Sequence, residues 1–188
     1  MCVVSKLVTA MGGGIWTVVL NDWDRDTEEG EEVELVVDTV ITHPDFTDYQ
    51  HDVALLRLPR PLPHLTPVCL PEHDLVTGHD TYIGLRCVAT GWGQTTHDGG
   101  LESRLHQVVL RVVNNTDCDT MYQLRYGVDI NDGHVCAGPE PGSVTGTCVG
   151  DSGGPLQCNL KVDLYLKHLL CWQKMISLPA KLIFLWFT

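Results

Sequence analysis

Apolar residues in this chain fall in short runs separated by turn-forming residues, the spacing of strands rather than helices. Ile15-Trp16-Thr17-Val18-Val19-Leu20 predicts a buried strand. Residues 33 to 41 are β-branched and predict a second, stopped by the turn signal His43-Pro44-Asp45. Val53-Ala54-Leu55-Leu56-Arg57-Leu58 predicts a third, closed by Pro59-Arg60-Pro61-Leu62-Pro63. Further strands are predicted at 86–90, 106–113, 134–137 and 155–158, and one helix at 117–125. Short strands so spaced indicate an all-β barrel or sandwich. No internal repeat or low-complexity tract interrupts the pattern.

A chain of 188 residues is long enough for one well-buried domain or two small ones, and its apolar share of 44% argues against disorder throughout. A formal charge of −12 argues against a nucleic-acid partner, which calls for a basic stripe. Eight cysteines without a close Cys-x-x-Cys pair fit disulfides better than zinc. They imply an oxidising compartment, hence secretion. Lys6 interrupts the apolar bias of residues 1–20, so no signal peptide is read there. Lys174, Pro179 and Lys181 cut the apolar C-terminal stretch below membrane-spanning length.

The chemistry concentrates in Thr147-Cys148-Val149-Gly150-Asp151-Ser152-Gly153-Gly154-Pro155-Leu156. Glycines are costly in conformational entropy and make sense where backbone N–H groups approach something closely. An acyl-transfer site needs an exposed hydroxyl beside such donors. A Gly-rich surface turn is the plain alternative for a bare Gly-Asp-Ser-Gly. The longer string resembles the nucleophile loop of the chymotrypsin-like (trypsin-like) serine proteases. Other stretches stand in that family's order: His43-Pro44-Asp45-Phe46, His51-Asp52-Val53-Ala54-Leu55-Leu56-Arg57-Leu58, Pro67-Val68-Cys69-Leu70-Pro71 and Cys87-Val88-Ala89-Thr90-Gly91-Trp92-Gly93. The match runs from about Trp16 to about Lys161, so residues 15–161 are read as a partial protease domain. Residues 1–14 and the divergent apolar tail 162–188 flank it.

The resemblance implies two six-stranded antiparallel barrels, here incomplete at both ends. It makes Ser152 the nucleophile and Asp52 the acid that orients a histidine, with the N–H groups of Gly150 and Ser152 as oxyanion hole. It makes Asp151 the acid that pairs with a new N-terminus after zymogen cleavage. The specificity pocket falls on Gly146, Thr147, Cys148 and Val149. An uncharged Gly146 at the trypsin-like aspartate position favours a small or apolar side chain before the scissile bond. The implied disulfides are Cys87–Cys158 and Cys118–Cys136. Cys148 lacks its downstream partner, Cys69 ties many family members to an upstream segment, and Cys2 and Cys171 lie outside the resemblance.

No cofactor is required by this chemistry. Asp22, Glu29 and Glu32, with backbone carbonyls near Asp24 and Thr27, resemble the family's structural calcium loop; the alternative is a solvated run of charge. Asn114-Asn115-Thr116 is a sequon, which makes Asn114 a candidate glycosylation site.

The family's Thr-Ala-Ala-His-Cys block, which carries the general base, has no counterpart. The nine histidines are His43, His51, His64, His73, His79, His97, His106, His134 and His168, none upstream of residue 43. His51 adjoins Asp52, but neighbouring strand residues point to opposite faces. The Ile-Val-Gly-Gly-like activation start is also missing, so the oxyanion loop is expected to stay disordered. The family's substrate-binding strand and terminal helix are replaced by the tail, whose periodicity is helix-like in places. Its ending Leu182-Ile183-Phe184-Leu185-Trp186-Phe187 is an aggregation hazard if unpacked. The expectation is a serine endopeptidase by family, acting on proteins or peptides, present here as a truncated or splice product of little activity. The alternative is a non-catalytic homologue that binds or regulates a partner.

Overall fold

The computed structural model of the chain describes residues 15–47, 49–63, 65, 68 and 82–159, with the backbone of two further strands at 4–8 and 182–186. Among the described residues, ten strands and one helix follow in the order β1 (Val4–Val8), β2 (Thr17–Leu20), β3 (Val33–Val36), β4 (Thr39–Thr42), β5 (Val53–Arg57), β6 (Arg86–Gly91), β7 (His106–Val112), α1 (Asn115–Tyr126), β8 (Ala137–Pro139), β9 (Leu156–Cys158) and β10 (Leu182–Trp186). They form three antiparallel sheets ordered β1-β2-β3, β10-β5-β4 and β8-β7-β6-β9. The all-β expectation holds, and among the described residues none of the sheets closes into a barrel.

Period-2 alternation builds the first half. Val18 and Leu20 of β2, Leu35 of β3 and Leu56 of β5 point inward with Leu58 and Leu62 to make one buried cluster. Leu56 is 1% exposed, and Val33, Val37 and Leu65 pack against the cluster's edge. The run at 33–41, expected as one strand, is two. At Val37-Asp38 the backbone changes sheets: Val37 N–H donates to Trp16 O, and Asp38 N–H to Arg57 O. The Asp38 carboxylate also accepts from Arg57 Nε at 2.5 Å, which fixes the crossing point.

The second half is stapled twice. Cys87 of β6 bonds Cys158 of β9 directly across the ladder, and Cys118 of α1 bonds Cys136 before β8. Closing a loop of 71 residues, the first bridge removes about 4 kcal/mol of unfolded-chain entropy. The helix runs from Asn115, two residues earlier than expected, because Asn114 caps it: its Oδ1 accepts from Asp117 N–H at 2.6 Å. Gly127, at φ 66°, ends it in the left-handed conformation. The strand expected at 134–137 begins instead at Ala137, since His134 N–H donates to Asn131 O and closes a turn.

Two strands lie beyond the expected domain. β1 pairs with β2 despite Lys6, and β10 from the divergent tail pairs with β5 from Leu182↔Arg57 to Trp186↔Val53. The tail's ending is therefore a strand paired along the edge of β5.

Leu56→Ala is expected to lower the free energy of unfolding by about 2–5 kcal/mol. Urea denaturation followed by tryptophan fluorescence measures the loss.

Candidate active site

The segment around Ser152 is built on one carboxylate. Asp151 Oδ1 accepts from Gly93 N–H at 2.8 Å and Oδ2 from Cys148 N–H at 2.9 Å. The backbone of the same residue closes two turns: Asp151 N–H donates to Cys148 O, and Gly154 N–H to Asp151 O. Gly150, at φ 97°, supplies the left-handed turn before Asp151. Ser152 is left exposed between these turns. Among the described residues no hydrogen bond takes up the Gly150 N–H.

This arrangement explains why Thr90-Gly91-Trp92-Gly93 and the serine loop occur together in one sequence. A Cβ on Gly93 would lie 2.5 Å from Asp151 Cγ, and one on Gly91 would overlap the same carboxylate. Gln94 N–H donates to Val149 O at 2.9 Å, clipping the loop from its other side, and the Leu101 side chain rests on Gly150. The sequence expectation of a disordered loop rested on the missing ammonium partner. Two backbone N–H groups, of Gly93 and Cys148, meet the Asp151 carboxylate instead.

Asp52 stands on the other half, at the start of β5. It is partly buried, and desolvation raises its carboxyl pKa. Among the described residues no hydrogen-bond or ion-pair partner faces it. His51, next in sequence, has φ 55° and stacks on His43 with ring centroids 4.7 Å apart. His43 Nδ1 accepts from Asp45 N–H at 3.1 Å. His106 pairs with Glu102 at 3.8 Å, and His134 is committed to backbone groups. None of the described histidines stands on Asp52. His64, His73, His79 and His168 lie outside the described residues.

Gly146, Thr147, Cys148 and Val149 are all exposed, an open rim rather than a walled pocket among the described residues. Cys148 carries a free, exposed thiol. Cys2, Cys69 and Cys171 lie outside the described residues.

The acidic loop is spent on the fold. Asp24 is 8% exposed; its Oδ2 accepts from Arg104 Nε at 3.1 Å and its Oδ1 from Asp26 N–H at 3.2 Å. The Arg104 bond, first, and then the Asp26 N–H hold this carboxyl below the usual range. Glu32 accepts from the N–H groups of Glu29 and Gly30, the second at 2.7 Å; the Glu29 bond is the main reason its pKa is lowered. Among the described residues no three His, Cys, Asp or Glu side chains gather at metal-holding spacing. No calcium group is shown at Asp22, Asp24, Thr27, Glu29 and Glu32, and Asp24 and Glu32 are bonded within the fold. Asn114 is likewise engaged by the fold, since the amide nitrogen that would carry a sugar donates to Asp117 Oδ2 at 2.9 Å.

What sequence reasoning missed is the seam between the halves. Arg104 bonds Asp24 and lies over the Trp23 ring at 5.4 Å, Trp92 Nε1–H donates to Trp23 O at 3.4 Å, and Leu105 N–H donates to the same carbonyl at 2.9 Å. An arginine this far from the acidic loop carries no sequence signal of its partner.

A family model described as Trypsin matches residues 2–173. The chain belongs to the trypsin family. Among its relatives, serine proteinase stubble of Drosophila melanogaster is 36% identical over 159 residues, covering 80% of this chain and 19% of that protein. Glucanase inhibitor protein 4 of Phytophthora infestans is 37% identical over 142 residues, covering 75% of this chain and 51% of that protein. The first relatives matched are covered over only 19%, 40% and 63% of their length. The solved structure of GrC shares the fold at a TM-score of 0.63 and 24% identity, over 89% of this chain and 80% of its own. Stubble and the Bombus venom proteases are named as proteases, hydrolases whose serine chemistry needs no cofactor. No helix among the described residues is long and apolar enough to cross a membrane.

Asp151→Asn keeps one acceptor but turns an amide N–H toward a backbone donor. It is expected to cost about 1–3 kcal/mol, read as a lower thermal midpoint. Asp52→Asn has the opposite sign. A carboxyl whose folded pKa is raised keeps its proton longer in the folded state, so stability falls as pH climbs through that window. The variant is expected to melt higher than the parent at pH 7 and alike at about pH 3, where both forms are neutral. Thermal melts across pH measure both.

Proposed function

We propose that this chain carries part of a secreted serine endopeptidase domain whose own turnover is low. Ser152 Oγ is the nucleophile toward the carbonyl of a peptide or protein substrate. The N–H groups of Gly150 and Ser152 receive the oxyanion, and Asp52 is the acid whose role is to orient a histidine. Asp151 is the loop-ordering acid, and the uncharged Gly146 favours a small or apolar side chain before the scissile bond. Two disulfides and a family rich in exported enzymes support secretion. An upstream segment joined through Cys69 fits the greater length of the relatives. The calcium reading finds no support in the placement of Asp24 and Glu32.

One observation carries the reading on activity: the serine loop is ordered by Asp151, yet no described histidine stands on Asp52. Without a base, Ser152 Oγ keeps its proton through the attack. Losing a triad member costs about four to six orders of magnitude in turnover. The test is labelling by a fluorophosphonate probe beside peptide hydrolysis. The expected outcome is no labelling at Ser152 and turnover at least about 10⁴-fold below a complete trypsin. Labelling at an ordinary protease rate overturns the low-turnover claim.

A second reading has its own support. A relative of comparable identity is named as an inhibitor protein rather than a protease. On that reading the retained fold is a binding module. Capture of one defined protein partner by both the parent and Ser152→Ala, with equal affinity, favours it.

A further inference from the structure

The segment that presents Asp52 is clasped to the second half of the molecule by residues that no catalytic motif includes. His134 Nε2 lies 2.8 Å from Tyr49 O, and its Nδ1 lies 3.1 Å from Asn131 N. A carbonyl oxygen only accepts and a backbone N–H only donates. These partners suit a ring that donates from Nε2 and accepts at Nδ1. Beside it, Asn131 Nδ2 donates to Gln50 Oε1 at 2.6 Å and Gln50 Nε2 to Asp129 O at 3.3 Å.

The clasp is anchored from behind. Asn115, Asp119 and Gln123 follow at helical spacing on one face of α1. Asn115 Nδ2 donates to the carbonyls of Asn131 and His134 at 2.8 and 2.9 Å, Asp119 Oδ1 accepts from Ile130 N–H at 2.7 Å, and Gln123 donates to Asp129. The Cys118–Cys136 bridge ties the same loop to the same helix. On the other side, the hairpin that ends in Asp52 is closed by the paired Thr47 and Gln50 and by the His43–His51 stack.

We propose that His134 is a positioning residue for Asp52, and that its neutral imidazole is a pH-sensitive clasp between the two halves. Protonation puts an N–H on Nδ1, facing the Asn131 N–H, and replaces a hydrogen bond with donor against donor. His43, also an acceptor through Nδ1, loses its bond to Asp45 N–H in the same way, and charge on both stacked rings sets them against one another. The ionisable groups around the clasp are Asp129 and Asp132 on its loop, Asp119 on α1, and Asp45, His43, His51 and Asp52 on the hairpin. The clasp is independent of any activity of Ser152; only its meaning for catalysis rests on the role proposed for Asp52.

The experiment uses the full chain labelled with ¹⁵N. Long-range proton–nitrogen spectra at about pH 7.5 are expected to show His134 neutral with the proton on Nε2; the other tautomer, or a cation, overturns the proposal. Amide exchange, corrected for intrinsic rates, is then compared at about pH 7.5 and 5.5. Protection at Gln50, Val53 and Asn131 is expected to fall at least tenfold in acid, while Val88 and Val109 in the central ladder hold. No fall overturns it. In His134→Gln, whose side-chain amide donates to Tyr49 O at both pH values, the acid-induced loss is expected to vanish at Gln50 and Val53. An undiminished loss there assigns the effect to the histidine stack and overturns the role of His134. Gln50→Ala, which leaves the ring untouched, is expected to lower protection at Asn131 at both pH values.

Discussion

The serine loop depends on one carboxylate, that of Asp151. Asp151 accepts one backbone N–H from its own loop and one from Gly93, and everything near it is shaped to let it do so. Gly91 and Gly93 lack side chains because the carboxylate lies where a Cβ would be. A hydrogen bond to a charged group in a partly buried place is stronger than a neutral one, and leaving its donors unmet is costlier still. The loop is thus held from inside the second sheet, and the exposed serine is a consequence of that hold.

The two halves meet through a different kind of contact. Asp24, Arg104, Trp23 and Trp92 join the acidic loop to the segment before β7, and Gln50, Asn131 and His134 join the hairpin of Asp52 to the loop after α1. Both seams are polar and largely directional, unlike the apolar cluster inside the first half. Directional contacts set an orientation well and contribute modest net stability. That division suits a junction that sets Asp52 on one side and Ser152 on the other.

Much of this was legible in the chain itself. Strands at Val53, Arg86 and His106 show as apolar runs between turns, and the family motifs supplied the pairing of cysteines that spacing alone leaves open. The break at Asp38 was not legible, because Val33, Val36, Val37, Thr39, Val40 and Ile41 make residues 33–41 read as one strand, and the break is made by Arg57, a partner distant in sequence. The acidic loop read as a cation site because composition reports charge and not direction; Glu32 turns back on its own backbone. β10 was hidden for a related reason. Its apolar residues match a strand, a buried helix or an unpacked tail equally well, and only the exposed edge of β5 selects among them.

That edge has a consequence for how the chain is made. β5 emerges from the ribosome about 125 residues before the strand that pairs with it. Through most of synthesis the sheet that carries Asp52 therefore has one ladder of amides and carbonyls without a mate. Contacts so distant in sequence form late and slowly. The nascent protein passes through a stage in which its first half is packed but unsealed, a natural substrate for chaperones that hold extended segments.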